Sequence, residues 1–349
     1  MKIWQKHILS KLIKTFFFLL ICIFAIYVIV DLSVHGIRFL SKSGPAEVAN
    51  YYIHTFATLL DLFLSLTFLL SSLRVLYTLN AGREIVALQM AGLSKKKLLT
   101  PFFLFAGFLS IVSYSNSQWL SPDAEDSAHE FKTAVKPKKY KKTKKVHVNS
   151  SVLDDGSELV YQSYDKEKTE LYDVFWIRSP NDIWHMKYLQ IHPLQGRYVN
   201  HLTRNSAKQF ENSESFALLD LPNLPWKDDV VLQKFVRYEN RPLLTLLSQA
   251  FSHSTEKPSV FSHLYYKILV PLIPFLILFA IGPIALRFSR NHPLFLIVAA
   301  SIFGLISLKI VLDGMLILGE NQVLPAFVAI FGPVVVGLGC ALPSFVKMR

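Results

Sequence analysis

Residues 12–38, LIKTFFFLLICIFAIYVIVDLSVHGIR, carry a single charge, Lys14, in their first eighteen positions. As a helix rising 1.5 Å per residue the stretch reaches about 40 Å, enough to cross a hydrocarbon core of about 30 Å. It is too long for a signal-peptide core and lacks a small-residue cleavage site, so it reads as a retained membrane helix. Five more apolar runs of comparable length lie near 53–79, 99–120, 264–286, 294–318 and 323–345. They explain why a chain of 349 residues has 52% hydrophobic content, 27 Phe and only 18% charged residues. The expected fold is therefore an α-helical polytopic membrane protein with six transmembrane helices, three before and three after a polar insertion at 121–258.

Lysine and arginine in the short loops orient these helices. Lys2, Lys6 and Lys11 precede the first run and Lys14 lies at its very start, and Arg83, Lys95, Lys96 and Lys97 separate the second and third. Arg287 and Arg290 lie between the fourth and fifth, and Lys347 and Arg349 end the chain. Six crossings put all of these on one side, so both termini are expected in the cytoplasm and residues 121–258 outside it. The net charge of +12 is then divided between this topology signal and a basic outer segment. Within that segment KTAVKPKKYKKTKK, residues 132–145, has eight lysines in fourteen positions, read as a solvated linker or as a surface for lipid phosphates. A location outside the cytoplasm makes nucleic acid a poor partner.

The insertion changes character from apolar runs to short alternating stretches, Leu159 to Tyr164, Leu171 to Arg178 and Trp184 to Ile191. Turn residues separate them: Asp154-Asp155-Gly156, Ser179-Pro180-Asn181-Asp182, Pro193 and Gly196. Such punctuation predicts an all-β sandwich, jelly roll or open barrel. Arg241 to Phe251 reads as helical, and Pro258 closes the linker into the fourth run.

Motifs for chemistry are missing. The chain has no Walker A pattern, no G-x-S-x-G elbow, no H-E-x-x-H and no Cys/His set at metal spacing. No cofactor, metal or catalytic residue is expected, and any ATP-derived work must come from a partner. Its two cysteines, Cys22 and Cys340, lie within apolar runs, and His192, His201, His253 and His263 are spaced for surface or hydrogen-bonded roles. Ionisable residues inside the runs say more, because each is costly in lipid unless paired or wetted. Asp31, His35 and Arg38 fall in the outer half of the first run, Asp61 in that of the second, and Lys309 with Asp313 in that of the fifth. The last two are four apart and share a helical face. Two readings stand side by side: structural salt bridges, or a polar cavity at outer-leaflet depth lined by Asp31, Asp61, Lys309 and Asp313.

Between the second and third runs stands Arg83-Glu84-Ile85-Val86-Ala87-Leu88-Gln89-Met90-Ala91-Gly92-Leu93-Ser94. An apolar stripe of Ile85 and Leu88 with Val86 and Met90, stopped by Gly92, predicts a short amphipathic helix near 83–92. This text resembles the lipopolysaccharide-export permeases, the paired F and G subunits of the Lpt transporter. The likeness rests on REIVALQMAGLS, with its Glu, seven residues and Gly-x-Ser, on YYKILVPLIPF entering the fourth run, and on NQVLPAFVAIFGP in the sixth. Helices 1–3 over residues 1–120, the insertion 121–258 and helices 4–6 over 259–349 follow the family's order.

The resemblance implies a periplasmic β-jellyroll, a heterodimer with a sister permease, and a cytoplasmic ABC ATPase dimer gripping each coupling helix. It also implies location in the bacterial inner membrane and transfer of lipopolysaccharide from the outer leaflet to periplasmic jellyroll bridge proteins. Glu84 matches the coupling-helix acid and, with the apolar stripe Ile85 and Leu88, is the expected ATPase contact; Lys267 matches a basic position at the start of helix 4. The acidic residue that the family often has just before it is replaced by Ser262-His263-Leu264-Tyr265. Arg38, Lys42 and Lys267 fall at headgroup level and are candidate ligands for lipid phosphates. Two other classes compete: an ion-coupled secondary transporter using Asp61, Lys309 and Asp313 as a relay, and a non-transporting envelope scaffold.

Overall fold

Apolar runs too long for a small soluble core become long helices, and the alternating insertion becomes a sheet. The computed structural model describes residues 2–42, 44–122, 124, 127–128, 131–132, 149–153, 155–165, 168–205, 209–221, 224, 238–251, 257–286 and 294–347, and leaves out the side chains of 36–42, 149, 151–152 and 294. Two compact units result, Met1–Lys136 with Tyr238–Arg349, and Pro137–Arg237. The sheet unit is shorter than the expected insertion, because residues after Leu120 and the stretch from Tyr238 to Phe251 group with the helices.

The helical unit opens with α1 (Ile3–Lys42) and α2 (Pro45–Ala81), followed by the short α3 (Glu84–Met90) and α4 (Lys95–Leu98) and then α5 (Thr100–Ser115). After the sheet come α6 (Leu243–Phe251), α7 (Lys257–Leu269), α8 (Ile273–Leu286), α9 (Leu294–Glu320) and α10 (Ala326–Val346). Among the described residues, five stretches are long and apolar enough to cross a bilayer: Ile3–His35, Pro45–Ala81, Lys257–Leu286, Phe295–Glu320 and Ala326–Val346. The run near 99–120 differs from a plain span. Its α-helix has 16 residues, short of the roughly 20 a crossing needs, and continues as a five-residue π-helix, Asn116–Leu120. Asn116 in that π turn donates from Nδ2 to the Ala57 carbonyl at 2.9 Å, fixing α5 against α2.

Side chains of α1, α2, α5, α8, α9 and α10 share one core, in which Leu12, Phe68, Leu99, Phe102, Leu278 and Ile330 are fully covered. The other side of α1 is apolar and uncovered, with Phe18, Ile21, Ile29 and Val34 each at least 60% exposed. In water such a stripe is an aggregation liability, and against acyl chains it is the expected exterior.

Lys257–Leu286 bends at Val270–Leu272, a 3₁₀ turn holding Pro271 and followed by Pro274. Proline removes backbone donors, and lipid offers none in exchange. α5 provides them: Ser110 Oγ donates to the Pro271 carbonyl and Tyr114 Oη to the Ile268 carbonyl, both at 2.6 Å. The kink is thus braced by hydroxyls from a neighbouring helix.

The second unit contains β1 (Asn149–Val152), β2 (Glu158–Asp165), β3 (Glu170–Ser179), β4 (Asp182–Gln190), β5 (Gln195–Arg204) and β6 (Phe210–Asp220). All neighbours are antiparallel and the spatial order equals the chain order, so the described strands form a meander rather than a jelly-roll arrangement. Alternation puts Leu159, Tyr161, Leu171, Val174, Met186 and Val199 in its core. Gly156 turns from β1 to β2 at φ +81°, a conformation open to glycine. At Gly196 a Cβ would fall 2.8 Å from Val199 Cγ2 and 3.0 Å from Met186 Sδ, so only glycine allows this packing.

Candidate functional site

Among the described residues, four polar groupings interrupt the apolar helices, and each joins different elements. The first ties α3 to α1. Lys11 Nζ lies 2.8 Å from Glu84 Oε1 and His7 Nε2 3.4 Å from Oε2. The Lys11 hydrogen bond holds the Glu84 carboxyl below the ordinary glutamate range. Arg83 enters this helix with φ 55°, which turns the chain back after α2. The expected apolar stripe is split by the fold. Ile85 is buried, 4% exposed, and Leu88 packs against the same core, whereas Val86 is 51% and Met90 86% exposed. Next to it, Lys96 Nζ donates to the Val346 carbonyl at 3.1 Å, capping the C-terminal end of α10.

The second grouping is at Asp31 on α1. Tyr52 Oη donates to Asp31 Oδ2 at 3.1 Å, and His35 Nδ1 stands 3.3 Å from Oδ1. Val48, Tyr51 and Tyr52 enclose the site with Phe24, Val28 and Leu32. Arg38 and Lys42 belong to the last turns of α1, and their side chains lie outside the described residues. The lysine-rich stretch lies outside them as well, apart from Lys132, which stands 5.5 Å from the centre of the Tyr51 ring.

In the third grouping Asp61 of α2 accepts a 2.6 Å hydrogen bond from Ser113 Oγ of α5. With Lys309 and Leu305 of α9 and Val270 and Ile273, it lines a cavity of about 20 Å³. Lys309 forms the expected pair with Asp313, 3.5 Å apart. Tyr266 of α7, which sequence reasoning did not single out, hydrogen-bonds both Lys309 and Asp313. The structure thus brings Asp61, Lys309 and Asp313 into one neighbourhood and holds Asp31 separately on tyrosines of α2.

The fourth grouping was not anticipated. His263 of α7 hydrogen-bonds Glu320 at the end of α9, and the Tyr238 ring stacks on it with centroids 5.7 Å apart. Arg241 covers the same tyrosine at 3.9 Å and donates to Gln249 Oε1 at 3.0 Å. Burial lowers its guanidinium to about 10, still charged at neutral pH. Lys267 donates to the Arg241 carbonyl at 2.5 Å. Spacing alone had no means of pairing residues 57 positions apart. The only local signals were a histidine beside YYK and an acid closing an apolar run.

A separate cavity of about 540 Å³ lies between α2, α8, α9 and α10, lined by aliphatic side chains and by Gly304 and Gly337, with Ser301 as its polar side chain. Lys267, the one expected headgroup residue whose side chain is described, does not line it.

No curated protein matches the chain. The model of a family described as "Lipopolysaccharide export system permease LptF/LptG" matches residues 6–346, from the first turns of α1 to the end of α10, and the chain belongs to that family.

Proposed function

We propose that this chain is the permease subunit of an ATP-driven export complex that takes lipopolysaccharide from the outer leaflet of the bacterial inner membrane and passes it to a periplasmic bridge. The observation that carries the reading is the family match over residues 6–346. α5 with its π extension, 21 residues in all, serves as a sixth crossing. On this reading both termini and α3 are cytoplasmic, and the sheet unit is periplasmic. The partners are a cytoplasmic ABC ATPase dimer, a sister permease and jellyroll bridge proteins.

Two features of the geometry support this assignment. α3 is anchored inward by Ile85 and Leu88 and linked to α1 through Glu84, while Val86 and Met90 remain outward. Such a helix can receive a push from a cytoplasmic partner and transmit it to α1. We therefore assign the partner contact to Val86 and Met90 beside Glu84, with Ile85 and Leu88 as anchors. Asp61, Lys309 and Asp313 share one neighbourhood within the spans; we assign them, and Asp31 from its separate cluster, to the lipid path, and Arg38, Lys42 and Lys267 to headgroup phosphates at its mouth.

Photocrosslinkers at positions 38, 42 and 267 in the assembled complex test the path. Capture of lipopolysaccharide that depends on ATP is expected. Capture of bulk phospholipid regardless of ATP at all three positions would overturn the headgroup assignment. Purification in mild detergent without a stoichiometric ATPase would overturn the coupling.

A further inference from the structure

α6 has more apolar surface than its own chain covers. On its helical wheel Leu246 and Ala250 point into the protein, 0% and 8% exposed, and pack with Val260 and Leu264 of α7. Leu244, Leu247 and Phe251, at i, i+3 and i+7, form the next strip of the same arc and are 61%, 39% and 83% exposed. The polar arc is satisfied close to home: Thr245 Oγ1 donates to the Pro242 carbonyl, Ser248 Oγ to the Thr245 carbonyl, and Gln249 accepts from Arg241. These side chains therefore do not oppose an apolar medium on the other arc.

The surface next to α6 says what covers the strip. Leu104, Phe108 and Ile111 run up the outside of α5, each at least 52% exposed, and the run ends at Trp119, 71% exposed, and Leu120. Gln118 Oε1 accepts the Leu244 backbone N–H at 3.1 Å, so the start of α6 is joined to the end of this stripe. An apolar spanning surface that ends in an exposed tryptophan is the pattern of a bilayer boundary, where the indole sits at headgroup depth.

We infer that α6 is an interfacial helix, lying on the membrane with Leu244, Leu247 and Phe251 among the upper acyl chains and glycerol groups of one lipid leaflet. The covering partner is lipid because the strip continues a surface already facing acyl chains. This inference does not depend on which lipid the permease moves.

Fluorescence in the full-length complex, reconstituted in phosphatidylethanolamine and phosphatidylglycerol vesicles, tests it. Cys22→Ala and Cys340→Ala remove the native thiols, and single cysteines at Leu247, Phe251 and Ser248 carry an environment-sensitive dye. A lipid with a nitroxide high on its acyl chain should quench the dye at 247 and 251 and leave 248 bright, and aqueous iodide should do the reverse. Iodide quenching at 247 and 251 equal to that at 248 would overturn the inference. So would protection of both sites from both quenchers, the result expected if a protein subunit covers the strip. Leu244→Cys reports the same strip should Phe251→Cys fail to assemble.

Discussion

Replacing Ile85 and Met90 one at a time separates the anchoring face of α3 from its outward face. Ile85 is 4% exposed within the helical core, so Ile85→Ala removes buried methyl and methylene groups and leaves a void. Large-to-small changes of this kind cost about 2–5 kcal/mol, and the lower end applies because α3 is a short helix that can settle inward. A loss of about 2 kcal/mol raises the open population of the segment by about 30-fold. Met90 is 86% exposed, and Met90→Gln should change stability by no more than about 0.5 kcal/mol, or about twofold in opening. Hydrogen exchange of the α3 amides in the purified complex reads both numbers. ATP turnover in proteoliposomes reads the function. We expect Ile85→Ala to speed exchange about 30-fold and Met90→Gln to leave exchange nearly unchanged while lowering lipid-stimulated turnover. Wild-type turnover for Met90→Gln would refute the outward-face assignment, and equal exchange in the two variants would refute the burial argument.

Acid should loosen the link between α1 and α3. The Glu84 carboxyl is depressed in the folded chain, chiefly by its Lys11 hydrogen bond, so the link contributes stability above the unfolded glutamate value of about 4.3 and loses it as pH falls through the folded value. Spin-label distances between α1 and α3 should broaden in that range, and in Glu84→Gln they should be broad at every pH. Gly319→Ala should destabilise the helical unit by about 1–3 kcal/mol, because a Cβ there meets Ser262 Oγ at 2.7 Å and Ala329 Cβ at 3.4 Å. Thermal unfolding in detergent checks it, and an unchanged midpoint would contradict this packing of α7, α9 and α10. Lys309→Met leaves Asp313 and Tyr266 without their cation in the membrane and should lower the unfolding midpoint, whereas adding Asp313→Leu should recover most of the loss. A double variant no more stable than the single one would show that the pair is not coupled.

Much of this architecture is legible in the sequence because it depends on local patterns. A run such as 12–38 needs only length and composition to be read as a span, and the alternation from Leu159 to Tyr164 needs only its period to be read as a strand. The i, i+4 pair of Lys309 and Asp313 is local too. What escaped reading depends on tertiary placement. Ile85 and Val86 are adjacent and both apolar, and nothing in their spacing says that one faces the core and the other the outside. The Arg83 backbone turn at φ 55° sets that rotation, and arginine is an uncommon residue there. The shortness of α5 involves tertiary placement too: Asn116, in the polar text SYSNSQ that closes the run, sits in a π turn and donates to the Ala57 carbonyl 59 residues away. Tyr266 was invisible as a bridge because its partners lie 43 and 47 residues away.

The placement of Asp61, Tyr266, Lys309 and Asp313 also bears on how a chain without a nucleotide motif transmits work. Ser113 to Asp61 joins α5 to α2, and Tyr266 to Lys309 and Asp313 joins α7 to α9. Hydrogen bonds of this kind resist separation in lipid, which offers no replacement partners. A proton relay needs a connected path of water, and the cavity that Asp61 and Lys309 share, about 20 Å³, has room for about one molecule. The same charges serve a permease differently. Under the proposed function, a headgroup phosphate at Lys309 would have to displace the Tyr266 hydroxyl and the Asp313 carboxylate, loosening one of the two polar ties that the described residues form between α7 and α9, the other being His263 to Glu320. Under that proposal, lipid binding and the α7–α9 contact would be linked, each biasing the other.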